Sequence, residues 1–390
     1  MKKITAVILF VIAIIAAVSF YRALPDIRES GFLSSFVVGK EVTVDKLFPL
    51  GDYDGYYYKR LNEITQRAYT AVKEQLVDFP ETIEIPAIDT NDLDDLLSAV
   101  IYDNPELFML KRCMLTSDRS RSYFKPIYLM SREDYEECLA ELRVAVSASG
   151  AGELELSDYE AELYCHDYIM NSCTYNSKEG DNRSNAYGAL CVRSATCSGY
   201  AKALKLLLDT AGIENFVVLG MASSGKAEPE SHMWNCVKID GDWCYVDLTW
   251  DDASDSSGNS HPRHNFFNVN DEYLRKTHYD YSVDVECTEQ KHFYYYVMDS
   301  YFDTDLNNLN DRIISLIIES DKIGTYEVQL AFSTKQLMDN AIYKLFRQGD
   351  IYKDLTKANQ TTTARLVTTE INYTTDTDAY ILTLKIGTGA

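Results

Sequence analysis

The sequence lacks clusters of metal-binding side chains, and it lacks long runs of basic side chains. Its nine cysteines include no C-x-x-C pair and no grouping with histidine at zinc-ligand spacing, which argues against a zinc module. Beyond Lys2 and Lys3 there is no lysine- or arginine-rich run, and the formal net charge is −23. Such a chain has little to neutralise phosphates along a groove, so no nucleic-acid partner is expected. Internal repeats and low-complexity tracts are also lacking.

The composition is that of a globular protein. Hydrophobic residues make up 46% and charged residues 25% of the 390 positions, enough for a packed core and for two or three domains. We expect neither a metal nor another cofactor. The cysteine count is odd, so at least one thiol has no partner in the chain, and most cysteines are expected to be small buried hydrophobes.

The N-terminus carries one long apolar run. Residues 4–20 are apolar except for Thr5 and Ser19, and they follow Lys2 and Lys3, as in a secretory signal. Roughly 17 residues is also the lower limit for a membrane span, so residues 1–24 are predicted to be either a signal peptide or an anchor. In both cases the rest of the chain lies outside the cytoplasm. It is either secreted or held at the outer face of the cytoplasmic membrane, which it contacts only through this segment.

The remaining sequence predicts an α+β protein in three parts. These are a mixed N-terminal region (25–146), a central domain (153–285) and a C-terminal α+β domain (293–390), with a linker at Ser147–Gly152 between the first two. Apolar spacing predicts helices near 57–76, 93–101, 131–146, 158–170, 305–320 and 335–346. Strands are predicted near 84–86, 126–129, 326–332, 364–373 and 379–386.

The central region contains a cysteine at a predicted helix start. Cys197 opens a helix that Gly212 ends, with apolar positions at Ala201, Leu204, Leu208 and Ala211. In the first helical turn, unpaired amides and the helix dipole favour a thiolate, which is the nucleophilic form. Gly199 would allow another backbone to approach closely. Such a cysteine is by itself more often structural than catalytic.

A predicted hairpin supplies partners for this cysteine. Asp240-Gly241 joins two strand-like runs, 232–239 and 242–249, which is a strong signal for a two-residue turn. In that register His232 and Asp247 are diagonal neighbours on one face, within reach of a hydrogen bond. A histidine held by a carboxylate and placed beside a cysteine gives the ion pair of cysteine nucleophilic catalysis. A purely structural histidine–aspartate pair is the alternative.

The same register places Cys236 and Cys244 on opposite faces of the ribbon. No bridge between these two cysteines is therefore expected.

Three blocks of sequence, in this order, resemble the transglutaminase-like superfamily. The first runs from Ala189-Leu190 through Cys197-Ser198-Gly199-Tyr200-Ala201 to Ala211-Gly212-Ile213. The second joins His232-Met233-Trp234-Asn235 to 240–252, and the third is Asn265-Phe266-Phe267-Asn268 followed by Asp271-Glu272 and His278. The resemblance covers about residues 155–285 and departs from the family at Thr196, where members often have a bulkier apolar residue. It implies a papain-like core, in which the helix carrying the cysteine packs on an antiparallel sheet.

The resemblance also implies a Cys–His–Asp triad, carried over onto Cys197, His232 and Asp247. The expected activity is acyl transfer on a peptide or carboxamide bond of a protein or peptide substrate, which could be a cell-wall component. Hydrolysis is slightly favoured over amine transfer, which would cross-link proteins. A non-catalytic cell-surface binding module is the alternative from another class.

Other candidates are expected to contribute less. Tyr187 is considered as an oxyanion donor, and Trp234 and Trp250 as cleft residues, although packing is the simpler role for all three. A metal site at His261 and His264 is not expected. Packing or surface roles are predicted for His166 and His278, and a solvated loop for the acidic group Asp251, Asp252 and Asp255.

Overall fold

A computed structural model describes residues 55–118, 120–178, 182–223, 228–254, 260–323, 326–377 and 379–389. These residues form two compact units, one of residues 55–290 and one of residues 291–389. Both contain helices and antiparallel sheet, so the predicted α+β class is confirmed. The predicted leader, residues 1–24, lies outside the described residues. Within the part of the chain that is described, no helix has the length and apolarity needed to cross a bilayer.

The first unit begins with helices around a small sheet. Asn62 caps the second helix by accepting hydrogen bonds from the amides of Ile64 and Thr65, and therefore splits the predicted helix 57–76 in two. The helices of this part are α1 (Tyr56–Arg60), α2 (Glu63–Leu76), α3 (Leu93–Tyr102) and α4 (Arg132–Ser149). Its strands are β1 (Ile83–Pro86), β2 (Leu110–Ser117) and β3 (Arg121–Tyr128), in the order β1-β3-β2.

The linker prediction at Ser147–Gly152 is wrong. Helix α4 continues through Ser149, Gly150 caps it in the left-handed conformation, and Ala151–Glu153 form a 3-10 turn. Ser149 and Ala151 are both buried. Small residues here serve close packing rather than freedom of movement, and the N-terminal region and central domain form one unit.

The central domain is built on a four-stranded antiparallel sheet. Its helices are α5 (Asp158–Ser172), α6 (Cys197–Ala211), α7 (Leu248–Asp251) and α8 (Asp271–Leu274). The sheet strands are β6 (Asn215–Ala222), β7 (Glu230–Ile239), β8 (Asp242–Val246) and β11 (His278–Tyr279), in the order β11-β6-β7-β8. Two short ladders complete it, β4 (Thr174–Tyr175) with β5 (Ser194–Ala195), and β9 (Asp252–Ser254) with β10 (Ser260–Pro262).

The two faces of this sheet have different partners. On one face Val217 and Met233 pack against Ala201 of α6. On the other face Trp234 packs edge-on against His278 and Tyr281, from the segment that follows α8. Because side chains alternate along a strand, β7 supplies residues to both layers.

The second unit has a sheet of its own. Its strands are β12 (Tyr301–Phe302), β13 (Glu327–Phe332), β14 (Leu366–Asp376) and β15 (Ile381–Thr388), in the order β12-β13-β15-β14. Its helices are α9 (Tyr294–Val297), α10 (Leu309–Ile323), α11 (Lys335–Ile342) and α12 (Asp350–Ala358). A separate apolar core fills this unit, including Ile313, Leu330 and Leu355.

Candidate active site

The nucleophile candidate stands at the first residue of a buried helix. Thr196 is extended and Cys197 begins α6, so the thiol is next to amides that have no partner within the helix. Gly199, two residues further in the same turn, is buried against the chain that precedes the helix: a Cβ there would lie 2.4 Å from the carbonyl oxygen of Arg183. The close backbone approach predicted for Gly199 is therefore confirmed.

The hairpin has the predicted register. Asn235 pairs with Val246 and Ile239 with Asp242 across the Asp240-Gly241 turn. Beyond Val246 the second strand gives way to α7, and Asp247 becomes the N-cap of that helix.

Asp247 is held by partners at both carboxylate oxygens. Oδ2 lies 2.7 Å from Nε2 of His232 and 3.0 Å from Nε2 of His278. Oδ1 accepts hydrogen bonds from the amides of Thr249 and Trp250 at 2.9 and 3.2 Å. With Nε2 of His232 engaged, Nδ1 is the nitrogen that remains available to Cys197.

The charges of this group favour an ion pair. Burial would raise the pKa of the Cys197 thiol, but the hydrogen bond and charge of His232 bring it below its ordinary value. Burial lowers the pKa of His232, whereas Asp247 and Cys197 together raise it to about 10. Burial also opposes ionisation of Asp247, yet both histidines hold its pKa well below the ordinary range. These shifts favour a thiolate that faces an imidazolium.

The structure does not bring Tyr187 to this group. Its hydroxyl donates a hydrogen bond to Glu141 on α4, and its ring stacks near Phe108. The expectation of an oxyanion donor at Tyr187 is corrected accordingly, because its only polar atom is engaged in the N-terminal region.

The two tryptophans occupy different environments. Trp234 is 1% exposed and stacks on His232 with ring centroids 6.0 Å apart, so it is a core residue rather than a cleft residue. Trp250 is half-buried, and its ring centroid lies 6.1 Å from that of His232 and 4.8 Å from that of His278. Trp250 is thus a partly exposed aromatic side chain beside both histidines, and its role in a cleft stays a prediction.

Tyr175 was missed as a site residue by sequence reasoning. Strand β4 pairs Tyr175 with Ala195, two positions before Cys197. Its ring lies 6.4 Å from that of Tyr200 on α6, and 40% of the residue is exposed. Burial, followed by the charge of Cys197, raises the pKa of Tyr175, which keeps its hydroxyl protonated. The parallel ladder with β5 and a hydrogen bond from the Tyr175 amide to Asp252 Oδ2 at 3.3 Å bring it here, and no local pattern signals these contacts.

Asp251 and Asp252 do not form a solvated loop. Asp251 is fully buried, lies 3.2 Å from Nε2 of His166, and accepts a hydrogen bond from the amide of Phe266 at 2.9 Å. Asp252 accepts a hydrogen bond from the Tyr200 hydroxyl at 2.6 Å. The packing or surface role expected for His166 becomes that of a buried ionic partner. These aspartates tie α7 to α5 and to the nucleophile helix. Asp255 lies outside the described residues.

Two groups among the described residues have donor atoms close enough for a metal ion. They are His232, Asp247 and His278, and a second group of His166, Asp167 and His264. In both, the histidines are already hydrogen-bonded to the shared aspartate, at 2.7 to 3.0 Å. Hydrogen bonding within each group accounts for these side chains without an ion.

Residues 148–248 match the family model of the transglutaminase-like superfamily, and Cys197, His232 and Asp247 all fall within that match. This stretch of the chain is a transglutaminase-like domain. The expected core, with the cysteine helix packed on an antiparallel sheet, is the fold that the structure has. A comparison with curated proteins gave no match.

Similar solved structures include that of a TGase, with 17% identity and a TM-score of 0.26 over 46% of this chain and 53% of that one. A protein from Cytophaga hutchinsonii, provisionally named a cysteine protease, has 15% identity and a TM-score of 0.24 over 35% of this chain and 61% of that one. A provisionally named protease from Parabacteroides distasonis has 12% identity and a TM-score of 0.23 over 49% of this chain and 41% of that one. This chain thus covers less than two thirds of each, and such likeness says nothing about activity.

Proposed function

We propose that the transglutaminase-like domain is an extracytoplasmic cysteine enzyme that cleaves peptide or carboxamide bonds through a thioester. The observation that carries this proposal is the 2.7 Å bond between His232 Nε2 and Asp247 Oδ2. It fixes the histidine that lowers the pKa of the Cys197 thiol. A histidine–aspartate pair with a purely structural role needs no third member. Here a half-buried thiol at a helix start is that third member.

The chemistry follows from these positions. The Cys197 thiolate attacks the carbonyl carbon, and the oxygen of the tetrahedral intermediate becomes negative. The Cys197 amide, at the open end of α6, can donate a hydrogen bond to that oxygen, and the Tyr175 hydroxyl is the side-chain candidate for a second donor. The imidazolium of His232 gives its Nδ1 proton to the leaving nitrogen, which breaks the C–N bond and leaves a thioester. Neutral His232 then takes a proton from the attacking water, and the carboxylic acid is released as the Cys197 thiolate leaves, which restores the ion pair.

A primary amine in place of water would give an isopeptide bond by the same steps. This cross-linking activity uses the identical triad, so it is the second candidate. One assay distinguishes hydrolysis from amine transfer. It follows the cleavage of peptide and glutamine-containing substrates together with the incorporation of a fluorescent primary amine into a carrier protein.

The first experiment is alkylation of the full chain by iodoacetamide as a function of pH, with mapping of the tryptic peptide 194–202 that contains Cys197. We expect rapid labelling near pH 6 that His232→Ala slows strongly. His292→Ala, in the unit of residues 291–389, is the matched control and should have no effect. Slow labelling that is indifferent to His232 would contradict an assembled triad and favour a non-catalytic binding module.

A further inference from the structure

Two buried cysteines meet beside the strand that carries His232. The sulfur atoms of Cys236 and Cys287 are 3.6 Å apart, and both residues are completely buried. Cys236 is on β7, on the same strand face as His232, whereas Cys287 belongs to the segment that follows β11. The two cysteines are 51 residues apart in the sequence, so the tertiary fold brings them together.

The strand register decides which cysteine is the partner. Cys236 lies opposite Tyr245, and Cys244 lies opposite Val237. Cys244 therefore points to the other face of the ribbon and cannot reach Cys236, as the hairpin predicts. Cys287 is the thiol that remains within reach.

Backbone hydrogen bonds hold Cys287 in place. Its carbonyl oxygen accepts from the amide of Asp271 at 2.7 Å, and its amide donates to Asp271 Oδ2 at 3.2 Å. Since a disulfide requires about 2.0 Å between sulfurs, the side chains must close by roughly 1.6 Å. Rotation about the Cα–Cβ bonds is the movement that the proposed bridge requires.

We propose that Cys236 and Cys287 form an intramolecular disulfide, with a small disulfide such as oxidised glutathione as the oxidant. One thiolate attacks the reagent and releases the first glutathione thiolate. The other attacks the resulting mixed disulfide and releases the second, so two protein thiols lose two electrons and two protons while one glutathione disulfide becomes two thiols.

Burial sets when this reaction occurs. It raises the pKa of the Cys236 thiol well above its ordinary value, so the folded dithiol reacts slowly. The bond should form while the chain folds or opens locally, and burial should afterwards protect it from reductants. The link joins the strand that carries His232 to the segment after His278. It does not touch the reacting atoms, so it stands or falls independently of the proposed function.

Mass spectrometry of the full chain tests the proposal directly. A Cys197→Ser background removes the most reactive thiol. The protein is refolded in oxidised and reduced glutathione, blocked with N-ethylmaleimide and digested with trypsin. Cys236, Cys244 and Cys287 then fall in separate peptides, 227–238, 239–263 and 277–291. We expect a 227–238/277–291 linked pair that dithiothreitol removes. Recovery of both cysteines blocked by maleimide or glutathione, or linked elsewhere, would overturn the proposal.

Thermal unfolding provides the second readout. Closing a loop of this length should make the melting temperature of the oxidised form about 5–10 °C higher than that of the reduced form. Cys236→Ala and Cys287→Ala should each abolish the difference, and having both keeps the test valid if one variant folds poorly. Cys244→Ala, a buried cysteine on the opposite face, is the matched control and should retain it. An oxidation shift that persists in both single variants would overturn the assignment.

Discussion

At the scale of single residues, Asp247 has contacts at both ends of its carboxylate. Oδ2 receives His232 and His278, and Oδ1 caps α7. Because every contact is a donor pointing at oxygen, only the ionised side chain satisfies all of them. An orienting residue placed in this way fixes both the tautomer and the charge of the histidine.

Replacement of Asp247 by Asn should therefore reduce kcat/KM by about 10³–10⁴-fold. The amide keeps the size of the side chain but cannot accept from both histidines. We expect the pKa of His232 to fall from about 10 towards its ordinary value, and Cys197 alkylation to require higher pH. Asp240→Asn, at the turn of the same hairpin, is the control because Asn suits its positive φ. An unchanged alkylation profile in Asp247→Asn would contradict the assigned role.

Tyr175 can be tested against Tyr187, since each is a tyrosine considered for the same role. Tyr175→Phe should reduce kcat by about 10²–10³-fold, the cost of losing one oxyanion donor. Cys197 alkylation should stay normal, because the hydroxyl acts on the substrate oxygen and not on the thiol. Tyr187→Phe loses the hydrogen bonds to Glu141 and Cys138, both on α4, and should keep full kcat. Equal activity in the two variants would remove Tyr175 from the mechanism.

At the scale of elements, the start of α6 can pack closely only because Gly199 has no side chain. A Cβ at Gly199 would lie 2.4 Å from the Arg183 carbonyl oxygen and 2.7 Å from the Ala195 Cβ, so Gly199→Ala must push the helix away from the 183–195 segment. At the other end of α6, Gly212 has φ +80 and open space. Both alanine variants should lower stability by about 1 kcal/mol or more. Only Gly199→Ala should also slow Cys197 alkylation, and equal alkylation rates would contradict the helix-displacement account.

The buried network around His166 predicts a pH dependence of stability. Burial lowers the pKa of His166, but Asp167 and Asp251 raise it to about 9. A histidine that binds its proton more tightly in the folded state stabilises that state. Its contribution is complete below the pKa of the unfolded chain, about 6.5, and is lost as pH rises through the pKa of the folded protein. The free energy of unfolding should thus fall by on the order of 3 kcal/mol between pH 6.5 and 9.5 from His166 alone.

His232 contributes in the same direction, with loss through about pH 10. Denaturant titrations between pH 6.5 and 9.5 measure how far the free energy of unfolding declines. The decline should be smaller in His166→Gln than in the wild type, and smallest in the double variant that also carries His232→Gln. A wild-type stability that is flat between pH 6.5 and 9.5 would contradict the buried imidazolium.

Sequence reasoning reached the parts of the site that local rules determine. Asp240-Gly241 fixes a two-residue turn, and strand alternation then brings His232 to Asp247. The positions of Tyr175 and His278 depend on ladders between distant segments, β4 with β5 and β11 with β6, which no local period specifies. The Ser147–Gly152 error has a similar cause, because tertiary burial of small residues overrode their turn preference.

At the scale of the whole molecule, the proposed extracytoplasmic location depends on residues 4–20. These residues lie outside the described part of the chain. One apolar run behind Lys2 and Lys3 can export the chain, and the buried Cys236–Cys287 pair suits an oxidising compartment. We therefore expect full-length protein made in a bacterial host to be accessible to protease added to intact cells. Intact mass should show either loss of the leader or a membrane-bound chain that retains Met1.

Leu9→Arg is the matched variant for this prediction, because it changes only the predicted leader. A charge inside an apolar run opposes insertion, with a cost of about 2.5–3.5 kcal/mol at the centre, so this variant should stay in the cytoplasm with its N-terminus intact. Its Cys236 and Cys287 should then be recovered as thiols, whereas the exported wild type should yield the linked peptides. A wild type that is cytoplasmic, uncleaved and indistinguishable from Leu9→Arg would refute export, yet it would leave the chemistry of Cys197 to be decided by its own pH profile.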